Sequence, residues 1–309
     1  MLMALIPYFP DQASTNAWKV DVLFFVFTAL TIAFSAIVFI AIAFFAIKYR
    51  RGSKADRSNP IAGSLKLELT WTFIPFVLAI AMFLWAADTY FEVTTPPDGA
   101  MEITVVGRQW MWKIQHPTGQ REINELHVPV GQPVRLTMTS QDVIHSFFIP
   151  AFRVKQDVVP GMYSNLWFEA KDPGTYHLFC AEYCGTEHSR MIGSVVAMDP
   201  KDYETWLQSG TSQESMVQGG ERLFRDKGCS GCHAGNSSVR APLLNGVYGG
   251  PVPLDDGTVV TADDMYIRDS ILLPKKQVVA GFKPIMPTYQ GQLSEEELFQ
   301  LIAYIKSLK

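Results

Sequence analysis

Cysteine is scarce in this chain: four residues in 309, none before position 180, and all of them in two close pairs with no thiol left over. The first 18 residues therefore offer no cysteine for lipid attachment. They also lack a basic n-region, and Pro7 and Pro10 break their apolar start, which makes a poor signal peptide. Alternation of strand and helix patterns is missing from the middle of the chain, which argues against a βαβ fold there.

What the chain has in quantity is apolar residues, 48% of the total and unevenly spread. Val22 to Ile47 is apolar apart from Thr28, Thr31 and Ser35, and Leu69 to Ala87 is a second run, interrupted by Pro75. Both approach or exceed the ~20 residues that cross a hydrocarbon core. Buried helices of a soluble protein are the alternative. Between the runs, Lys48, Arg50, Arg51, Lys54, Arg57 and Lys66 face a single acid, Asp56. Short basic loops stay on the cytoplasmic side, so a transmembrane helical hairpin with both termini outward is expected.

From residue 67 onward there are 19 basic against 27 acidic residues, and the excess lies before Ser215, where 9 face 17. Such an acidic surface either steers a basic partner or merely keeps an exported domain solvated. No nucleic-acid partner is expected.

Between Met101 and Met198 the pattern becomes short alternating runs, such as Glu102-Ile-Thr-Val-Val and Ser164-Asn-Leu-Trp-Phe, punctuated by Pro96-Pro-Asp-Gly99, Pro160-Gly161 and Asp172-Pro-Gly174. This spacing predicts an antiparallel β-sandwich. Inside it lies Cys180-Ala-Glu182-Tyr-Cys184-Gly-Thr-Glu-His188-Ser-Arg-Met191, with a further imidazole upstream at His145. Thiolate, imidazole and thioether together suit copper in electron transfer. A Cys180–Cys184 disulfide or a tetrahedral zinc site made with His145 and His188 remain open on the residues alone, although neither uses Met191. His116, His127 and His177 read as ordinary sheet residues.

After a polar, glycine-containing stretch from Thr205 to Ser215, expected to be a linker, comes Cys229-Ser-Gly-Cys232-His233. This is the attachment pattern of a c-type haem, with two thioether bonds and a proximal imidazole. A redox dithiol would need a βαβ setting, and no second cysteine pair remains for zinc. A thioether should supply the sixth ligand, and only Met265 and Met286 follow His233. Ser294-Glu-Glu-Glu297 predicts a capping box opening an amphipathic helix through Leu298, Leu301, Ile302 and Ile305.

The Cys180 to Met191 segment, with His145 in Asp142-Val-Ile-His145, closely resembles the binuclear CuA site of cytochrome c oxidase subunit II. The resemblance spans about residues 15 to 205 and includes Gly107-Arg-Gln-Trp110-Met-Trp112, Arg153-Val-Lys-Gln-Asp157 and Pro173-Gly-Thr-Tyr176. It implies a cupredoxin-like fold in which Cys180 and Cys184 bridge two coppers and His145 and His188 each cap one. Met191 and the Glu182 carbonyl would be weak axial ligands. It further implies a Glu182 side chain bound to Mg at the contact with subunit I, Trp110 as the point where electrons enter, and Glu68 at the mouth of a proton pathway. For a pair of tryptophans two apart in one strand, only one can face the copper side, and Trp110 is the choice.

Residues 215 to 309 resemble a small all-α class I cytochrome c, which implies Met286 as sixth ligand and the Pro242 carbonyl as acceptor from the proximal imidazole. Together these predict a multi-domain membrane protein with four parts: a helical hairpin within 1–95, a CuA domain at 96–204, a linker at 205–215 and a cytochrome c domain at 216–309. The resemblance implies the fused subunit II of a haem-copper oxygen reductase in a bacterial inner membrane, its metal domains periplasmic. Electrons would come from a soluble cytochrome c or an upstream respiratory complex and leave to subunit I, which holds the oxygen-reducing site. A subunit of a CuA-containing nitric oxide reductase, or a membrane-held relay without a catalytic partner, are the alternative readings.

Overall fold

The structure, a computed structural model, describes residues 9–58, 63–209, 214–234 and 239–308. It divides into a helical unit, Asn16–Thr95, and a larger unit containing the rest.

In the helical unit, α1 spans Ala17–Lys48 and α2 spans Leu65–Thr94. At 1.5 Å per residue each is about 45 Å or longer, more than the ~30 Å hydrocarbon core requires. Their apolar flanks are uncovered by protein: Phe39 is 72% and Phe83 68% exposed, and no residue of either most hydrophobic stretch is buried. A soluble core helix would bury such side chains, so the alternative is excluded and lipid is the fitting solvent. Thr28 and Thr31 return their hydroxyl protons to the carbonyls of Phe24 and Phe27, which pairs these two groups within the helix. Ser64 caps α2, and Lys19 pairs with Glu92, joining the outer ends of the two helices.

The larger unit begins with a β-sandwich. One sheet is formed by β1 (Met101–Arg108), β2 (Met111–Gln115), β3 (Arg121–Ile123), β5 (Pro133–Ser140) and β8 (Ser164–Glu169). The other is formed by β4 (Glu125–Pro129), β6 (His145–Ile149), β7 (Val154–Val158), β9 (Gly174–Cys180) and β10 (Ile192–Met198). Trp112, Phe147, Phe152, Phe168, Leu136 and Met138 fill the space between them, all at most 2% exposed. The sandwich differs from the expected antiparallel one in two pairings: β1 runs parallel to β5, and β4 runs parallel to β10. Period-two alternation is the same for either direction, so only the chain path decides it. Residues 10–15 also belong to this body, tied to it by Ala13 N–H to the Ala151 carbonyl at 3.0 Å and by Arg153 to the Pro10 and Asp11 carbonyls.

A helix, α3 (Pro200–Ser209), continues from β10, so the first half of the expected linker is helical. Three buried or half-buried groups hold it. His116 lies 3.0 Å from the Tyr203 hydroxyl and 2.7 Å from Glu122, His127 lies 2.5 Å from the same carboxylate, and the His127 ring stacks on Trp206 at 4.4 Å.

The C-terminal domain comprises α4 (Met216–Asp226), a single turn α5 (Ser230–His233), α6 (Asp264–Leu272) and α7 (Glu295–Ser307). It is helical apart from a two-stranded ribbon, β11 (Pro251–Pro253) with β12 (Val259–Thr261), which an all-α reading did not foresee. The capping box forms: Ser294 N–H donates to Glu297 at 2.8 Å and Glu297 N–H to the Ser294 hydroxyl at 3.2 Å. A second, Ser215 with Gln218, opens α4. Helices α4 and α7 touch backbone to backbone at Gly220, where a Cβ would collide with the Gln300 carbonyl. Leu223, Ile267, Leu298, Leu301 and Ile302 form the core around that crossing.

Two candidate redox centres

Strand β9 ends at Cys180 and β10 begins at Ile192, so two paired neighbouring strands of one sheet clamp the intervening loop. The two thiols are free and their sulfurs lie 3.7 Å apart. His145 Nδ1 is 3.9 Å from the Cys180 sulfur, His188 Nδ1 is 3.5 Å from the Cys184 sulfur, and the Met191 sulfur is 3.8 Å from that of Cys184. The Glu182 carbonyl is 3.2 Å from the Cys180 sulfur, while its side chain points outward and is exposed. His145, Cys180, Cys184 and Met191 are buried. Sequence positions 145, 180, 182, 184, 188 and 191 thus meet at one point.

Electrostatics separates the two thiols. Burial raises the Cys180 thiol, but His145 and the Ser146 and Glu182 backbones outweigh it and bring the group well below a free thiol. Burial raises Cys184, and the neighbouring Cys180 charge raises it further. Burial opposes protonation of His145, yet Cys180 and Asp142 more than offset this and raise it. Metal binding releases such protons, because thiolate and neutral imidazole are the ligating forms. Two thiolates, two imidazoles and a thioether are soft donors that fit copper.

Asp142 is the residue that sequence reading left without a role. Its carboxylate accepts from His145 Nε2 at 2.9 Å and from Gln109 N–H at 2.8 Å, fixing the ring so that Nδ1 faces the sulfurs. The signal was present, an acid three positions before a candidate ligand. Gln109 also donates to the Cys184 carbonyl at 2.8 Å. Trp110 lies in the turn between β1 and β2, its ring over Gly185 beside Cys184, whereas Trp112 is in the core with its ring 5.8 Å from that of His145. Both tryptophans therefore border the site, Trp110 at the loop and Trp112 at His145. The argument from alternation failed because the chain turns at Gln109 and Trp110 instead of continuing as a strand.

In the C-terminal domain, Cys229, Cys232 and His233 line an apolar cavity of about 500 Å³, with Met286, Leu301 and Ile305 also on its wall. The Pro242 carbonyl accepts from His233 Nδ1 at 2.8 Å. Met265 is absent from this wall, and its sulfur instead accepts the Tyr163 N–H at 3.1 Å. Adjacent free thiols, an oriented imidazole and an apolar slot suit a covalently held porphyrin. Glu68 belongs to neither cluster. It sits exposed in the first turn of α2.

Residues 120–198 match the family model for the periplasmic domain of cytochrome c oxidase subunit II, and residues 217–309 match that for cytochrome c. A cytochrome c oxidase subunit 2 from Alkalihalophilus pseudofirmus is 30% identical over 92% of this chain and 86% of its own. This chain belongs to the cytochrome c oxidase subunit 2 family. Another subunit 2, from Thermostichus vulcanus, is 31% identical over 64% of this chain and 76% of its own length. The crystal structure of the periplasmic domain of cytochrome oxidase subunit II from Bradyrhizobium japonicum is 30% identical, covering 37% of this chain and 96% of that one, with a TM-score of 0.36. As a subunit II with a cytochrome c domain, the chain is part of a haem-copper oxidase, a membrane protein with an outer-side domain, and its two domains imply copper and haem.

Proposed function

We propose that this subunit II accepts electrons at its cytochrome c domain and delivers them through its copper domain to subunit I of an oxygen reductase in a bacterial inner membrane. One observation carries the reading: five soft side chains and a carbonyl, scattered from residue 145 to 191, converge on one loop, with His145, Cys180, Cys184 and Met191 buried. Cys180, Cys184, His145, His188 and Met191, with the Glu182 carbonyl, would hold the binuclear CuA centre. Cys229 and Cys232 would hold the haem, and His233 and Met286 would ligate its iron. When bound, these groups supply reversible one-electron acceptance, with no bond made or broken in a substrate.

The protein's own part is placement. Asp142 and Pro242 each hold one nitrogen of an imidazole, leaving the other for metal. Buried loop residues and the apolar cavity wall keep water away, which limits reorganisation as charge moves. Trp110, over the loop beside Cys184, is the point where electrons enter the copper domain. Glu68 marks the mouth of a proton path at the inner end of α2, and the exposed Glu182 carboxylate takes Mg at the contact with subunit I. A soluble cytochrome c or an upstream respiratory complex is the donor.

Paramagnetic resonance and metal analysis of the purified chain test the assignment: copper should exceed iron two to one, with a mixed-valence copper signal. Zinc at the loop, or no covalent porphyrin, would refute it. Oxygen uptake without nitric oxide uptake by the purified complex separates the oxidase from a nitric oxide reductase.

A further inference from the structure

The cytochrome domain lies against the outward face of β1 and its neighbours, and the contact is built like a protein interior. Val106 of β1 packs with Met216 and Phe299. Tyr163, just before β8, stacks on Phe299 with ring centres 4.8 Å apart and planes within 19°, and the Arg268 guanidinium stands 5.7 Å from the Tyr163 ring. Arg268, 8% exposed, pairs with Glu295 at 2.7 Å and donates to the Gly161 carbonyl at 3.3 Å. Lys306 bridges Glu102 of β1 and Asp264 of α6, both at 3.0 Å. Lys113 and Gln141 both donate to Glu296, at 2.8 and 2.9 Å.

These contacts fall on the loops that control the copper ligands. Gln141 precedes Asp142, the carboxylate that orients His145, and Ser140 pairs with Pro160, three residues before Tyr163. On the other side, α6 and α7 carry the seam residues Met265, Arg268, Glu296 and Phe299, and they also carry Tyr266, Ile267, Leu301 and Ile305 of the haem cavity. The seam is therefore a continuous packed path between the two centres. A domain that swung away on each turnover would strip Arg268 and Glu295 of part of their shelter and expose Val106, Phe299 and Tyr163 to water, each a cost paid repeatedly.

We propose that the cytochrome domain works from one permanently docked position, and that Tyr163 is the positioning residue that holds the haem cavity against the copper loop. The idea rests on the electron-transfer reading above. It replaces the picture of a domain free on its linker with a fixed junction, so transfer between the centres needs no domain motion.

Two measurements test it on the full protein in its complex. First, a protease site inserted between Ser209 and Glu214 is cut. The C-terminal fragment should stay bound through gel filtration, and should be lost when Tyr163→Ala is combined with Lys306→Glu. Release of the fragment from the otherwise unaltered protein overturns the docking, whatever the cofactors prove to be. Second, the rate of haem-to-copper transfer after photochemical electron injection should be unchanged when solvent viscosity is raised severalfold. Tyr163→Ala should lower that rate severalfold and make it viscosity-dependent, with the absorption and resonance spectra of both centres intact. Tyr163→Phe, which keeps the ring, should behave like the parent. A parent rate that falls with viscosity, or a Tyr163→Ala rate that does not change, overturns the role of Tyr163. Absent cofactor spectra would instead refute the electron-transfer reading, and the fragment test still decides the docking.

Discussion

Asp142 shows how one side chain outside a ligand set can govern it. Its carboxylate accepts from His145 Nε2 at 2.9 Å, and without that partner the imidazole has no anchor on its far side. Asp142→Asn should weaken copper retention by about 10- to 100-fold while leaving the fold intact, read by chelator competition against the copper signal. Retention equal to that of the parent would remove Asp142 from the site. At the haem, Met286 lines the cavity while the Met265 sulfur is occupied by Tyr163 N–H. Met286→Leu should therefore abolish the thioether–iron absorption band and lower the potential, and Met265→Leu should leave both unchanged. The reverse pattern would exchange the two assignments. The sequence limited the choice to these residues and its likeness to a class I cytochrome c pointed to Met286, and the packing of α6 against the copper domain supports that choice.

Elements carry the next set of consequences. Helices α4 and α7 approach so closely at Gly220 that Gly220→Ala would drive a methyl into the Gln300 carbonyl. Overpacking of this kind costs roughly 1–3 kcal/mol or more, so the thermal midpoint of the cytochrome domain should drop while the copper signal melts as before. A midpoint equal to the parent's would show that the crossing yields easily. The seam between β1 and α7 should respond to acid. Burial disfavours charge on Glu102 and Glu296, but Lys306 and Lys113 more than offset it, holding both carboxylates below their usual range. A depressed folded value means the stabilisation is complete above the ordinary carboxylate range and is lost as pH falls through the folded values. The linker-cut fragment should thus stay bound from pH 7 to about 5 and release only in stronger acid. Release beginning near neutrality would point to histidines instead. A trace of this seam was visible in the sequence: Val105-Val106 breaks the alternation of β1, and the outward valine is the one that the cytochrome domain covers.

Over the whole molecule, two long helices, a sandwich and a haem-type domain form one oxidase subunit, and each part bears on the next. Removing everything after Ser215 should lower turnover with the native donor and leave the copper spectrum intact, because the copper ligands all precede that point. It would also uncover Val106 and Tyr163, so the shortened chain should aggregate more readily. Unchanged turnover would mean that the haem is bypassed.

Chemistry that is local in sequence could be read directly. Cys180 to Met191, Cys229-x-x-Cys232-His233 and the apolar runs of the two helices carry their meaning in spacing, because one loop, one haem and one bilayer impose fixed spans. Contacts between distant segments could not be read this way. The parallel pairing of β1 with β5, the position of Trp110 in a turn, the capture of Met265 by Tyr163 and the seam of Lys306 with Glu102 depend on which surfaces meet. Alternating apolar residues state that a face is buried but not against what, so tertiary packing alone decided where the haem domain rests.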